Sequence, residues 1–264
     1  MHHFIDFALA QVPSVYRRLV TLRGTPNLEK VVFLTLVRKG DVVFDIGAHT
    51  GYYTRLFSNL VGGRGEVHAF EPMADSFLEL DRQVALGCRH GNVRLHNVAL
   101  ADHPGAGEMV EPDGDLAQAS LLQHSSGSWQ QSPRIHRHPC TIDTVDDHAE
   151  RYGLARLDFV KCDVEGAELL VLRGASRTLR RFQPLLHLEV FAPWMRDFGM
   201  QPGDLRRWLE GLGYTDFMLL SEFGRLLAAD LELLSSESTE SANLVCATAK
   251  DASRLGRLRS RLKA

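Results

Sequence analysis

The spacing of apolar residues changes repeatedly along this chain, and each change marks an element. From Asp41 onward, short apolar runs alternate with segments whose apolar residues recur every three or four positions, the patterns of buried strands and amphipathic helices. The runs predict strands over 42–46, 66–70, 93–98, 157–162 and 185–190. The periodic segments predict helices over 52–60, 74–85, 145–152, 167–179 and 203–212. Strands separated by helices pair in parallel through right-handed crossovers. Two last strands, 214–220 and 243–247, flank the stretch SSESTES and are close enough in sequence to pair antiparallel.

Two regions depart from this alternation. Segments 4–22 and 28–37 carry helical spacing broken by Pro13 and the Gly24-Thr25-Pro26 turn, which predicts a helical extension over 1–40. Between Gly105 and His138 the sequence turns polar (GDLAQASLLQHSSGSWQQSP), which predicts a long loop or a small hairpin of the kind that walls a substrate. The alternating part, 41–248, reads as one α/β domain, and 249–264 as a basic tail. That tail, KDASRLGRLRSRLKA, holds six basic residues and one acid with leucines at 255, 258 and 262. It reads either as a solvated helix or as a peripheral contact with an anionic membrane surface.

Composition narrows the class. The 264 residues are 44% hydrophobic and 24% charged with a formal charge of −3, an ordinary globular balance with no bulk attraction to nucleic acid. Cys88, Cys140, Cys162 and Cys246 are scattered without a C-x-x-C pair, so they suggest neither a disulfide framework nor a zinc site, and a reducing, cytoplasmic setting is expected. The first residues, MHHFIDFALAQVPSVYRR, lack a basic leader, and Asp6 and Gln11 interrupt their apolar positions, unlike a secretory signal. No stretch reaches the roughly 18 to 20 apolar residues of a membrane span.

The chemistry concentrates at strand ends. In an open parallel sheet, ligands bind beyond the carboxyl ends of the strands. The first predicted strand ends in Asp45, followed by the loop Gly47-Ala48-His49-Thr50-Gly51, whose glycines permit a tight turn and close approach to a ligand. The spacing is G-x-x-x-G rather than G-x-G-x-x-G, and Asp45 would repel a pyrophosphate, so a ligand with a cationic end fits better than a dinucleotide. Twenty positions after Gly51 comes Glu71, placed to accept from two ribose hydroxyls, and Asn97 and Val98 end the third strand where an adenine could rest. S-adenosylmethionine has all of these parts. Taken singly, Asp45 and Gly51 also read as a strand end and a turn, and Glu71 as a helix-start acid.

The second cluster is LDFVKCDVEGAELLVLRGA. Glu168 reads as an acid at a helix start, but Asp163 and Glu165 repel each other unless a cation, a proton or a polar ligand lies between them. In LLHLEVF, His187 and Glu189 share one face of a strand, with Glu189 nearer the crevice.

The blocks FDIGAHTG, HAFEP, NVAL, CTIDTVDD, VKCDVEGAE and LLHLEVF resemble, in order and spacing, the FkbM family of S-adenosylmethionine-dependent methyltransferases over roughly 42–191. The resemblance implies a Rossmann-like class I fold: a mostly parallel seven-stranded sheet with helices on both faces. It also implies S-adenosylmethionine as donor and transfer to a hydroxyl of a sugar, polyketide or other small metabolite. By position, Asp45, Gly47 and Gly51, with Ala48 and His49 between the glycines, look like the methionine site; Glu71 looks like the ribose ligand and Asn97 and Val98 like the adenine wall. The DVEGAE and EV blocks look like the mouth facing the acceptor; an alcohol needs a base or a metal ion there, so Asp163, Glu165 and Glu189 are the expected catalytic acids, acting directly or through a Mg2+ ion, with His187 a weaker candidate. His49 stands where the family more commonly has asparagine. The rival readings are an NAD-dependent oxidoreductase on a similar sheet, a nucleic-acid methyltransferase, and a non-catalytic adaptor keeping the fold. Against the first two stand the missing G-x-G-x-x-G, the missing Y-x-x-x-K, and the lack of an Asn-Pro-Pro-Tyr-like element.

Overall fold

The computed structural model describes residues 28–221, 226–227 and 241–262; the helix expected over 4–22 and all of the SSESTES stretch but Ser241 lie outside these residues. The chain opens with α1 (Leu28–Leu36), then β1 (Val42–Ile46), α2 (Tyr52–Val61), β2 (Glu66–Phe70), α3 (Ala74–Gly87) and β3 (Val93–His96). After β7 (Phe159–Cys162) and β8 (Leu185–Val190) come β9 (Asp216–Ser221), the two-residue β10 (Leu226–Leu227) and β11 (Ala242–Ala247). These strands form one sheet in the order β10-β9-β11-β8-β7-β1-β2-β3. The pairs β1–β2, β2–β3, β1–β7 and β7–β8 are parallel, while β11 runs antiparallel to both β8 and β9. Seven principal strands, mostly parallel, with the last inserted in reverse and a short edge hairpin added, make the expected class I methyltransferase sheet.

Strand order positions the site. The central strand β1 has β2 on one side and β7 on the other, and the ends are level: Ile46 pairs with Phe70 and Cys162, and Cys162 with Leu188. The loops after β1, β2, β7 and β8 therefore emerge side by side at the switch point. Apolar side chains fill both faces of the sheet. Phe44, Leu169, Leu188 and Leu205 belong to one cluster, and Phe33, Val43, Phe57 and Val245 to the other.

Two local expectations need correction, and a third resolves into one of its two expected forms. The helix expected over 167–179 is two helices, α6 (Glu168–Arg173) and α7 (Ser176–Phe182), broken at Gly174. A Cβ there would lie 2.0 Å from the carbonyl oxygen of Ala101, so the chain turns where another backbone presses on it. The strand expected to 98 stops at His96, and β4 (Ala99–Leu100) leaves for a second sheet. The polar region is a hairpin: β5 (Gly105–Pro112) pairs antiparallel with β6 (Ile135–Asp143), and β4 joins β6 to complete three strands. Between them sits the short α4 (Ser128–Gln131); α5 (Val145–Arg151) follows β6. Helix α8 (Ala192–Asp197) precedes α9 (Pro202–Glu210) and was not expected, because Pro193 and Trp194 hide its short period.

The basic tail is a docked helix, α10 (Ala252–Leu262), packed against α1. Leu255 and Leu258 are fully buried with Val32 and Leu36. Arg254 pairs with the buried Asp41, and Arg259 with Asp216 and the carbonyl of Phe217. The leucines that would enter a membrane are thus core residues, which removes the apolar half of a surface-binding role. Leu258→Ala is expected to lower unfolding free energy by about 2–5 kcal/mol, the scale of a buried leucine lost, as read by urea melts; a loss under about 0.5 kcal/mol would mean a loosely docked helix. No helix among the described residues is long and apolar enough to cross a membrane.

Candidate active site

The loop after β1 is held by its neighbours. Gly47 and Ala48 both donate their N–H groups to the carbonyl of Phe70 at the end of β2, at 3.1 and 3.0 Å. Gly47 has φ +76, and a Cβ on it would lie 1.8 Å from the carbonyl oxygen of Asp163, so the turns after β1 and β7 touch through its missing side chain. Gly51, φ +84, leaves room for Leu80 of α3 and starts α2. Between them, His49 is left-handed without being glycine, φ 48, a conformation that persists only where surroundings impose it. The surroundings include Glu71.

Glu71, 5% exposed, accepts the His49 N–H on Oε2 and the Met73 N–H on Oε1, each at 2.8 Å. One carboxylate thus ties the loop after β1 to the loop after β2, with lone pairs left toward the cavity. Burial pushes its pKa up to about 7, against the pull of the two N–H groups. Asn97 does a related job: its amide donates to the carbonyls of Glu71 and Pro72, at 2.8 and 3.1 Å, and braces that loop.

These loops enclose a cavity of about 320 Å³, of the size of small-molecule sites. Gly47, Ala48, His49, Glu71, Val98, Asp163 and Glu165 reach its wall. Four other expected residues do not. Gly51 and Asn97 shape the surrounding loops, Glu189 stands behind Asp163 and Glu165, and Asp45 lies buried beneath the floor. The reason for the last is the strand period: Asp45 points into the protein, where its Oδ2 accepts from Thr54 Oγ1 at 2.6 Å. Burial raises the Asp45 pKa, and the Lys161 ammonium opposes that rise.

Lys161 was not foreseen. It is 2% exposed in the middle of β7, with Nζ 2.9 Å from Asp163 Oδ2 and 5.4 Å from the Tyr53 ring centroid. Burial disfavours its charge, but Asp163 and Asp45 outweigh that and keep it protonated. Asp163 answers in kind: burial pushes its pKa up, yet Lys161 holds it below the usual carboxylate range. The signal available in the sequence was a lysine inside an apolar strand run.

One oxygen each from Asp163, Glu165 and Glu189 lie within 4.8 Å of one another. Burial, then the charge of Asp163, raises Glu165 to about 9 and raises Glu189 well above its ordinary value. These opposite directions mark Asp163 as the acid that ionises most readily and Glu165 and Glu189 as the two that hold their protons more strongly. Glu189 Oε1 also accepts from Ser241 Oγ at 3.1 Å. Glu168, at the start of α6, accepts the N–H groups of Val164 and Gly166 and so shapes the loop as a helix-start acid. His187, buried with its ring 4.8 Å from that of Phe33, is a core residue.

Glu165 is left-handed as well, φ 55. Its carbonyl accepts from Ser120 Oγ at 3.0 Å and meets His124 Nε2 at 2.9 Å, both from the β5–β6 insert. His124 in turn meets Asp197 at 3.0 Å through Nδ1 and stacks on Trp194 of α8 at 4.6 Å. The insert both walls the cavity, through Met109, Leu116 and Leu121, and fixes the backbone of its most displaced acid.

Residues 45–215 match the family model described as the methyltransferase FkbM domain. The chain belongs to the FkbM methyltransferase family. Relatives in this family include the 2-O-methyltransferase NoeI of Sinorhizobium fredii, 30% identical over 56% of this chain and 63% of its own length. The 31-O-demethyl-FK506 methyltransferase FkbM of Streptomyces tacrolimicus is 30% identical over 53% of this chain and 61% of its own. The hexuronic acid methyltransferase AglP of Haloferax volcanii is 27% identical over 77% and 74%. The match thus spans less than two thirds of the first two of these relatives. The crystal structure of the methyltransferase FkbM from Methylobacillus flagellatus aligns with 93% of this chain and 59% of that one, at 15% identity and a TM-score of 0.49. Within this FkbM-family chain, the matched span contains the left-handed cavity residues His49 and Glu165 and the whole insert.

Proposed function

We propose that the chain is an S-adenosylmethionine-dependent O-methyltransferase acting on a hydroxyl of a small metabolite, sugar or polyketide-type acceptor. The observation that carries this reading is the placement of Glu71, whose oxygens are oriented by the His49 and Met73 N–H groups at the edge of the cavity. A carboxylate so fixed suits a ribose diol. The remaining groups fit the rest of that donor: Val98 offers an apolar wall to adenine, and Gly47 and Ala48 leave the cavity floor free of large side chains. Asp45 below, with Asp163 beside the loop, disfavours the pyrophosphate of a dinucleotide and suits a cationic amino-acid end.

When bound, S-adenosylmethionine supplies an activated methyl on a sulfonium. The protein's own task is alignment and proton removal. Asp163, kept ionised by Lys161, presents a fixed acceptor to the incoming hydroxyl. Glu165, once ionised, is an unusually basic carboxylate and takes the hydroxyl proton. The apolar insert wall excludes water from the acceptor. A divalent cation held by the three acids would lower the hydroxyl pKa instead; turnover that survives EDTA assigns the step to the carboxylates alone. Two of the relatives carry O-methyl transfer in their names, which supports an oxygen acceptor.

Thermal shift separates this reading from an oxidoreductase. S-adenosylhomocysteine is expected to raise the melting temperature and NAD to leave it unchanged; the reverse pattern would replace the donor. Glu71→Ala is expected to weaken S-adenosylhomocysteine binding by about 1.5–3 kcal/mol, the scale of hydrogen bonds to a charged acceptor. The sign of the pH effect follows from the raised Glu71 pKa of about 7. The diol donates to the ionised form, so wild-type affinity is full above that value and falls as pH drops through it. Titration calorimetry from pH 5.5 to 8.5 checks both, and equal affinity across that range would remove Glu71 from the ribose.

A further inference from the structure

The geometry points to a second site outside the donor cavity: His68, His96 and His148 form a three-histidine site for a borderline transition-metal ion, with zinc the representative. His68 lies on β2, His96 on β3 and His148 on α5, and none of them lines the cavity above. His68 Nδ1 stands 3.0 Å from His148 Nε2 and 3.3 Å from His96 Nε2, and all three nitrogens lie within 4.8 Å of one another. Zinc–imidazole bonds of about 2.0–2.1 Å in a tetrahedron set nitrogens about 3.3 Å apart, so small ring movements complete the triangle.

Proton placement favours an ion over a hydrogen-bonded chain. A neutral imidazole has one N–H, and His68 faces an acceptor on its other side: Nε2 is 3.6 Å from Glu66 Oε1. The tautomer that suits Glu66 carries its proton on Nε2 and leaves the Nδ1 lone pair aimed at the two other rings. His68 Nε2 is buried without a hydrogen-bond partner, and closing its 3.6 Å gap to Glu66 would give the carboxylate–histidine–metal arrangement, in which an outer carboxylate fixes the ligating tautomer.

His68 and His148 are buried, while His96 is half-buried and borders a shallow pocket with Pro104, Thr141 and Arg151. This pocket is the entry path and the fourth, water, position. Nitrogen ligands without an oxygen majority select zinc over magnesium. The consequence reaches the donor site, since Asn97, next to His96, braces the carbonyls of Glu71 and Pro72. A metal here stiffens the strand ends that present the ribose carboxylate.

The test uses the full chain, stripped with a chelator and dialysed. Zinc titration is expected to reach one equivalent and to raise the melting temperature, with magnesium giving no rise. Cobalt in place of zinc is expected to show the intense visible absorption of tetrahedral nitrogen coordination. His96→Phe keeps a flat ring in the stack and removes a ligand; it is expected to lose the zinc equivalent and the cobalt band while its metal-free melting stays within a few degrees of wild type. Zinc that leaves wild-type melting unchanged overturns the site, and so does a weak, octahedral cobalt spectrum. Zinc binding of equal strength in His96→Phe also overturns it, by placing the ion elsewhere. Should His96→Phe fail to fold, the wild-type titration and cobalt spectrum still decide. S-adenosylhomocysteine binding is read separately, so the site stands or falls independently of the donor assignment.

Discussion

A Gly47→Ala variant is expected to give no measurable S-adenosylhomocysteine binding by calorimetry, from the addition of a single methyl. The added Cβ would stand 1.8 Å from the carbonyl oxygen of Asp163, where real Cβ contacts essentially never come under 3.0 Å. The loops after β1 and β7 must part by more than an ångström. Those loops carry the donor floor and the ionised acid, and a displacement of about 1 Å costs on the order of 10²-fold in positioned chemistry. The left-handed backbone alone is not the cause. Gly40 has φ +85 with nothing within 4 Å of its Cβ position, so Gly40→Ala is the control: about 1 kcal/mol of stability lost, donor binding retained. Undiminished affinity in Gly47→Ala would remove this loop from the donor site.

The second large effect is catalytic. Glu165→Gln is expected to lower turnover by roughly 10² or more with S-adenosylhomocysteine affinity within a few fold, the scale of a lost general base. The pH profile gives its direction. Glu165 acts ionised and its pKa is pushed up to about 9, so wild-type turnover rises with pH toward that value and then levels, while the Gln variant stays flat. Stability moves the opposite way. A carboxyl whose folded pKa is raised favours the fold while protonated and loses that contribution as pH climbs from about 4.5 to about 9. At pH 8 the Gln variant should therefore melt at or above the wild-type temperature while being far slower. If turnover and donor affinity fall together, Glu165 belongs to the donor site; if neither changes, the base lies elsewhere.

Strands β1, β2 and β8 were legible to the residue because buried parallel strands are short apolar runs between turns, and little else in a chain looks like that. The second sheet was legible only as a loop or hairpin. The first half of β5 and nearly all of β6 are exposed or half-buried, with Glu108, Arg137 and His138 among those places, so the apolar signal is diluted. The break at Gly174 depends on Ala101, over seventy positions away, and no local pattern carries it. The site divides the same way. Glu71, Asp163 and Glu165 could be placed because strand ends converge in any parallel sheet. His124 could not, since its partners, the Glu165 carbonyl and Asp197, are far off in sequence; Lys161 pairs with the nearby Asp163, but its burial and its second partner, Asp45, come from the fold. Asp45 was assigned a direct contact because its position at the loop was visible and the inward turn of its side chain was not.

The bonds from Ser120 and His124 to the Glu165 carbonyl bear on any attempt to redirect this protein toward a new acceptor by transplanting an insert from another family member. A graft chosen for its pocket lining alone would release Glu165 from its left-handed turn and silence the chimaera before its selectivity could be read. Transplants that carry a serine and a histidine at these two places, together with an acid at the Asp197 position, keep the joint closed. Acceptor range and reaction chemistry are coupled here through two hydrogen bonds, and a library that holds both constant while varying Met109, Leu116 and Leu121 would vary the first without losing the second.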